Sequence, residues 1–177
     1  DIELLPEDFN KSAWSKLLGF AERYNEPGVF SALIGFEWTS MINGDNLHRV
    51  VVYGDGSEKA KRMLPFSALD SPDPEDLWHF MEDYENLTGG EVIAIPHNGN
   101  VSNGKMFSDK RINGSDFDAS YSAKRQRWEP LYEVTQVKGD AEAHPYLSPA
   151  DEYADFETWD QGNLRMEPKD KKMLQGE

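Results

Sequence analysis

The chain has 177 residues, no cysteine, and 33 acidic against 18 basic residues, a formal net charge of −15. Without cysteine there is neither a disulfide nor a thiolate metal ligand, so a metal must be held by His, Asp, Glu or backbone oxygen. A field of that sign repels phosphodiester backbones and argues against nucleic acid as a partner, and no apolar run approaches the roughly eighteen residues of a membrane-spanning helix.

With 38% hydrophobic residues, among them five Trp, seven Tyr and nine Phe, the chain holds enough apolar material for one packed core. The expected organisation is a leading helix over 1–27, a core over 28–160 and a polar tail over 161–177. The chain starts at Asp1 rather than Met, ends in MEPKDKKMLQGE, and carries no export signal of its own. The expectation is therefore an internal or processed piece of a longer protein, whose cytoplasmic or exported location depends on sequence upstream. Its oligomeric state is left open.

Following Asn10, KSAWSKLLGFAERYN repeats Trp14, Leu17, Leu18 and Ala21 at helical spacing before Pro27-Gly28 stops the pattern, which predicts an amphipathic helix capped by Asn10. VFSALIGFEW then reads as a buried strand with Glu37 at its C-terminal end, TSMINGDN as a loop, and LHRVVVYG as a strand opened by His48 and Arg49. SPDP leads into the helix PEDLWHFMEDYENL, with proline in its first turn and Gly89-Gly90 after it. The strand EVIAIP, a long polar loop, a helix around YSAKRQRW, the strand LYEVTQV and a last helix within SPADEYADFETWD complete the order. This alternation predicts an α/β domain with a largely parallel sheet and its site at the C-terminal ends of the strands.

Glu37, His97 and Gln136 each end a predicted strand, and His48 begins one. A carboxylate that converges with imidazoles on one rim is how a site for a hard or borderline metal is built. His97 lies between an apolar strand and a glycine-containing turn, where structural reasons for a histidine are few. His79, inside LWHFME, reads as a packing or surface residue, and His144, two residues after Glu142, has a spacing that can chelate in an extended segment. Arg49, Lys138 and Asn98 are candidates for receiving an anionic substrate, while Lys124-Arg125-Gln126-Arg127 reads as an exposed helix face. There is no GxSxG, GxGxxG or GxxxxGK[ST] motif, and the four Asn-x-Ser/Thr triplets are of a kind common by chance.

In order, GFEWTS, NLHRVVVYGD, AIPHNGN and EPLYEVTQVKGDAEAHPYLSPADEYADFE resemble a bacterial family classed as a domain of unknown function, number thirty-six-zero-four. That family in turn resembles the PHP (polymerase and histidinol phosphatase) superfamily. The resemblance implies a distorted (β/α)7 barrel with two or three metal ions, zinc, manganese or iron, hydrolysing phosphoesters through activated water. It places a bridging carboxylate at Glu37 and metal-ligating histidines at His48 and His97, with Glu133 and Gln136 in support. His144 is a further candidate ligand in the family-specific segment. The superfamily's His-x-His and Asp-x-His motifs do not occur in this chain, which implies a barrel lacking its first and last strands, weak metal binding and little turnover. The competing expectation is a non-enzymatic acidic module in which NGDN (43–46) and SPDPED (71–76) bind calcium or a partner and the histidines are structural.

Overall fold

The computed structural model describes residues 6–159 and 162–167. The predicted polar tail over 161–177 lies outside the described residues except for 162–167. Helix α1 spans Glu7–Tyr24 and is capped by Pro6, not Asn10, which sits inside its first turn. Trp14 and Leu18 are its buried residues, and the Trp14 indole N–H donates to the Ala60 carbonyl, tying α1 to the short helix that follows the sheet's middle strand.

Strand β1 (Ile34–Trp38) is followed by a tight ribbon of β2 (Met41–Ile42) and β3 (Asp45–Asn46), and then by β4 (Arg49–Tyr53). Asn43 and Gly44, with φ of 58° and 95°, form the ribbon's turn, a conformation that Asn-Gly adopts at little cost. After β4 come the short α2 (Ser57–Ala60) and α3 (Pro74–Thr88). Pro74 occupies the first position of α3 and Gly89 ends it in the left-handed conformation, as the sequence predicts, and the Asp73 carboxylate caps it by accepting the Glu75 N–H at 2.9 Å. Strand β5 (Val92–Pro96), a single 3-10 turn at Gly99–Val101, α4 (Ala119–Trp128) and a second ribbon of β6 (Thr135–Gln136) and β7 (Gly139–Asp140) complete the order.

The main sheet has the order β1-β4-β5, and both pairings are antiparallel. The expected largely parallel sheet and the partial (β/α)7 barrel are thus overturned: the described residues form four helices with small antiparallel sheets. Chain connection explains the direction. Ten residues separate Trp38 from Arg49, too few for a crossover returning a strand in parallel, and the ribbon reverses the chain within them. The last predicted helix does not form among the described residues; residues 152–157 are turns. Of the predicted strand LYEVTQV only Thr135–Gln136 forms, with Leu131, Val134 and Val137 exposed and no layer among the described residues to cover them.

Period-two alternation assigns the sheet's faces. Ile34, Trp38, Val51, Tyr53, Val92 and Ala94 are buried. They pack with α1 and α3 through the ring contacts Trp14–Phe36, Phe36–Phe80 and Tyr53–Tyr84. The opposite face carries Gly35, Glu37, Val50 and Val52. A Cβ built on Gly35 would lie 2.5 Å from the Val51 carbonyl oxygen, a backbone atom of the central strand that cannot step aside. We expect Gly35→Ala to lower the unfolding free energy by about 1–3 kcal/mol, the usual cost of overpacking. A urea midpoint equal to that of the parent would refute this tight approach.

Candidate metal centre

The carboxylate and the two imidazoles come from three different strands or their ends. Glu37 is the fourth residue of β1, His48 immediately precedes β4, and His97 immediately follows β5. Because Arg49 pairs with Pro96, His48 and His97 are the next cross-strand neighbours, and the His97 N–H donates to the His48 carbonyl at 3.3 Å. Alternation turns both imidazoles to the face that carries Glu37. Glu37 Oε1 lies 3.1 Å from His48 Nδ1 and 3.0 Å from His97 Nε2, and the ligand atoms of the three residues all lie within 4.8 Å of one another.

Burial and charge prepare these groups differently. Glu37 is 47% exposed and His97 10% by side chain, so the carboxylate faces solvent while the ring is held in the protein. Burial pushes the His48 imidazole below the ordinary histidine value. The Glu37 carboxylate opposes the shift, and His97 and Lys138 add to it. A neutral imidazole keeps the lone pair that a cation needs. One carboxylate with two imidazoles fits zinc and related divalent ions, and the two contacts of Glu37 Oε1, at 3.1 and 3.0 Å, are close to the ligand-to-ligand separation of about 3.3 Å in a tetrahedral shell of 2.0–2.1 Å bonds. His97 Nδ1 is buried without a hydrogen-bond partner among the described residues, so no protein acceptor there orients the ring as is usual for a ligating histidine.

The turn after β5 holds His97 instead. The Asn46 amide donates to the carbonyls of His97 at 2.7 Å and Asn98 at 3.0 Å. Asn98 is left-handed, with φ of 53°, and its N–H donates to Glu133 Oε2 at 3.1 Å. The Gly99 N–H donates to the Tyr132 hydroxyl at 3.0 Å, and a Cβ at Gly99 would collide with that hydroxyl. The Asn-Gly after His97 is thereby explained by backbone shape. Gln136 donates to both oxygens of Glu133, at 3.1 and 3.0 Å, and so braces the carboxylate behind the turn.

The remaining candidates divide. Arg49 points to the other face, where it pairs with Glu129 Oε1 at 3.0 Å, both side chains 2% exposed; this guanidinium is spent inside the core. Asn98 is buried, with its amide 3.5 Å from Asn100 Oδ1. Lys138 is exposed and close enough to His48 to affect its titration. His144 lies half-buried in the 141–150 loop, its Nδ1 accepting the Tyr146 N–H at 3.1 Å, and does not join the cluster of Glu37, His48 and His97. His79 is exposed on α3, 3.6 Å from Glu82. Sequence reasoning took Asn46 only as part of the NGDN (43–46) calcium loop and passed over Glu129, since a glutamate ending a basic helix gives no sign of burial.

The chain belongs to the family described as protein of unknown function (DUF3604), whose family model matches residues 3–177. No curated protein and no solved structure matches it.

Proposed function

We propose that Glu37, His48 and His97 hold a divalent cation and that the site hydrolyses a small anionic ester, a phosphoester first among them. The observation that carries this reading is the meeting of three ligand atoms within 4.8 Å from residues separated by 11 and 60 positions. Chance surface proximity of acidic groups does not ordinarily include two largely buried imidazoles. The resemblance to the PHP superfamily supports the same chemistry. A cation bound there would lower the pKa of water and stabilise negative charge on the oxygens of a transferring group.

The protein's own groups supply the rest. The solvent-facing carboxylate of Glu37 leaves room for a substrate on the open face of the sheet, and the braced turn keeps His97 in place. Lys138, exposed near His48, offers the anionic substrate a cation in a chain of net charge −15, where such a group attracts anions locally. The calcium-module alternative is less favoured by the geometry. Asp45 is occupied by Asn103, Asn163 and Lys105, Asp73 caps α3, and Asp76 accepts the Ser71 hydroxyl at 2.5 Å.

The test is elemental analysis after dialysis against a weak chelator, with turnover of 4-nitrophenyl phosphate measured alongside. We expect zinc, manganese or iron to be retained by the parent and lost in His97→Ala, with metal-dependent turnover lost in parallel and circular dichroism unchanged. Equal metal content in the two proteins, or none in either, would sink the reading.

A further inference from the structure

A groove of about 760 Å³ lies between α1, the 64–70 loop and the edge of β1, and of the three metal-centre residues Glu37 borders it, where the edge strand joins the two faces of the sheet. Leu17, Phe36, Leu64, Phe66 and Phe80 give it an apolar wall, and Glu37, the carboxylate shared by both imidazoles, also lines it. Its volume falls in the range of small-molecule sites. β1 is an edge strand of the main sheet, so the groove is bordered by strand backbone as well as by side chains.

We propose that this groove receives the non-reacting part of the substrate, and that this part is an apolar, uncharged group such as an aromatic ring or an acyl chain. The inference rests on the hydrolytic reading of the metal centre. Two features of the wall choose the chemistry. Among the described residues, the 15 that line the groove include no Lys, Arg or His, and its ionisable side chains are Glu37 and Asp70; a second phosphate or a carboxylate placed there would face like charge in an already acidic protein. A sugar would bury hydroxyls against the Phe and Leu side chains, at a cost for each one that Asn10, Thr39, Ser67 and Asp70 of the lining leave without a partner. An aromatic or aliphatic group instead removes apolar surface from water on both sides. Leu17 and Leu69, 40% and 57% exposed, form a lip of the kind that such a group would cover.

The measurement has two arms. Calorimetric titration with 1-naphthol, an uncharged aromatic alcohol, is run on the parent, on Ala13→Trp, which fills the groove from an exposed position of α1, and on Leu69→Asp, which puts a charge on its lip. Manganese-loaded parent and variants are then compared for hydrolysis of 1-naphthyl phosphate against methyl phosphate. The expected result is naphthol binding that weakens at least tenfold in both variants, and a preference for the naphthyl ester that falls by a similar factor. Equal naphthol affinity in the three proteins, or an unchanged ester preference, overturns the inference. Absent naphthol binding with a concentration-dependent dimer that Ala13→Trp abolishes would assign the groove to a second copy instead. Failure to hydrolyse either ester while naphthol binding keeps its pattern would sink the hydrolase reading and leave the groove standing as a ligand site.

Discussion

Arg49→Met is expected to lower the unfolding free energy by about 3 kcal/mol, which for a chain of this size moves the melting temperature down by about 6–12 °C. The guanidinium is 2% exposed, donates to Glu129 at 3.0 Å and to the Leu47 carbonyl, and lies 5.7 Å from the Trp38 ring. Removing it leaves a carboxylate in the core without its main countercharge. The full cost of breaking a buried pair is about 3–5 kcal/mol; the lower end applies because Glu129 keeps the Trp78 indole at 2.9 Å and Arg125 at 3.2 Å. Replacing both partners, as in Arg49→Met with Glu129→Leu, should recover part of the loss, since neither charge is then stranded. Urea unfolding of the two variants measures this. A single variant as stable as the parent would return Arg49 to the list of groups free to meet a substrate.

Glu37→Gln should behave in the opposite way. The carboxylate is 47% exposed, so its contacts with two histidines contribute less than about 1 kcal/mol to folding. As an anionic ligand touching both imidazoles it should nonetheless dominate cation affinity, and we expect that affinity to fall at least about 100-fold, roughly 2.7 kcal/mol, on conversion to the neutral amide. Calorimetric titration with zinc or manganese, beside thermal unfolding without metal, separates the two effects. Unchanged affinity would mean that the cluster is a hydrogen-bonded surface feature.

Much of the local structure was legible in the chain. Asp73-Pro74 and Gly89 delimit α3 because a carboxylate cap, a preset φ and a left-handed stop are local devices that need no tertiary support. Strand direction was misread because apolar alternation with helices was weighed above connection length; the short link 39–48 and its Asn43-Gly44 turn already required a reversal. Leu131–Val137 did not form a full strand because strand propensity has no effect without a surface to pack on.

The site shows the same division. Glu37 and His97 stand out in the sequence because each follows an apolar run, whereas His48 gains meaning only from its pairing across β4 and β5. Adjacent residues of an extended strand point to opposite faces, so His48 and Arg49 could not both serve one site, and burial of the face with Val51 and Tyr53 decided which turned inward. The partner of Arg49 lies 80 residues away, beyond any reading of local pattern.

The braces of the site have a kinetic meaning. Glu37 meets His97 across 60 positions, Asn46 reaches the His97 carbonyl across 51, and Asn98 reaches Glu133 across 35. Asn163 then closes onto Asp45, beside Asn46 in the ribbon, across 118. Contacts that span such lengths pay their loop-closure entropy late. During synthesis α1 and α3 can form as soon as they emerge, but the ribbon that holds the His97 turn is fastened only after residue 163 has been made.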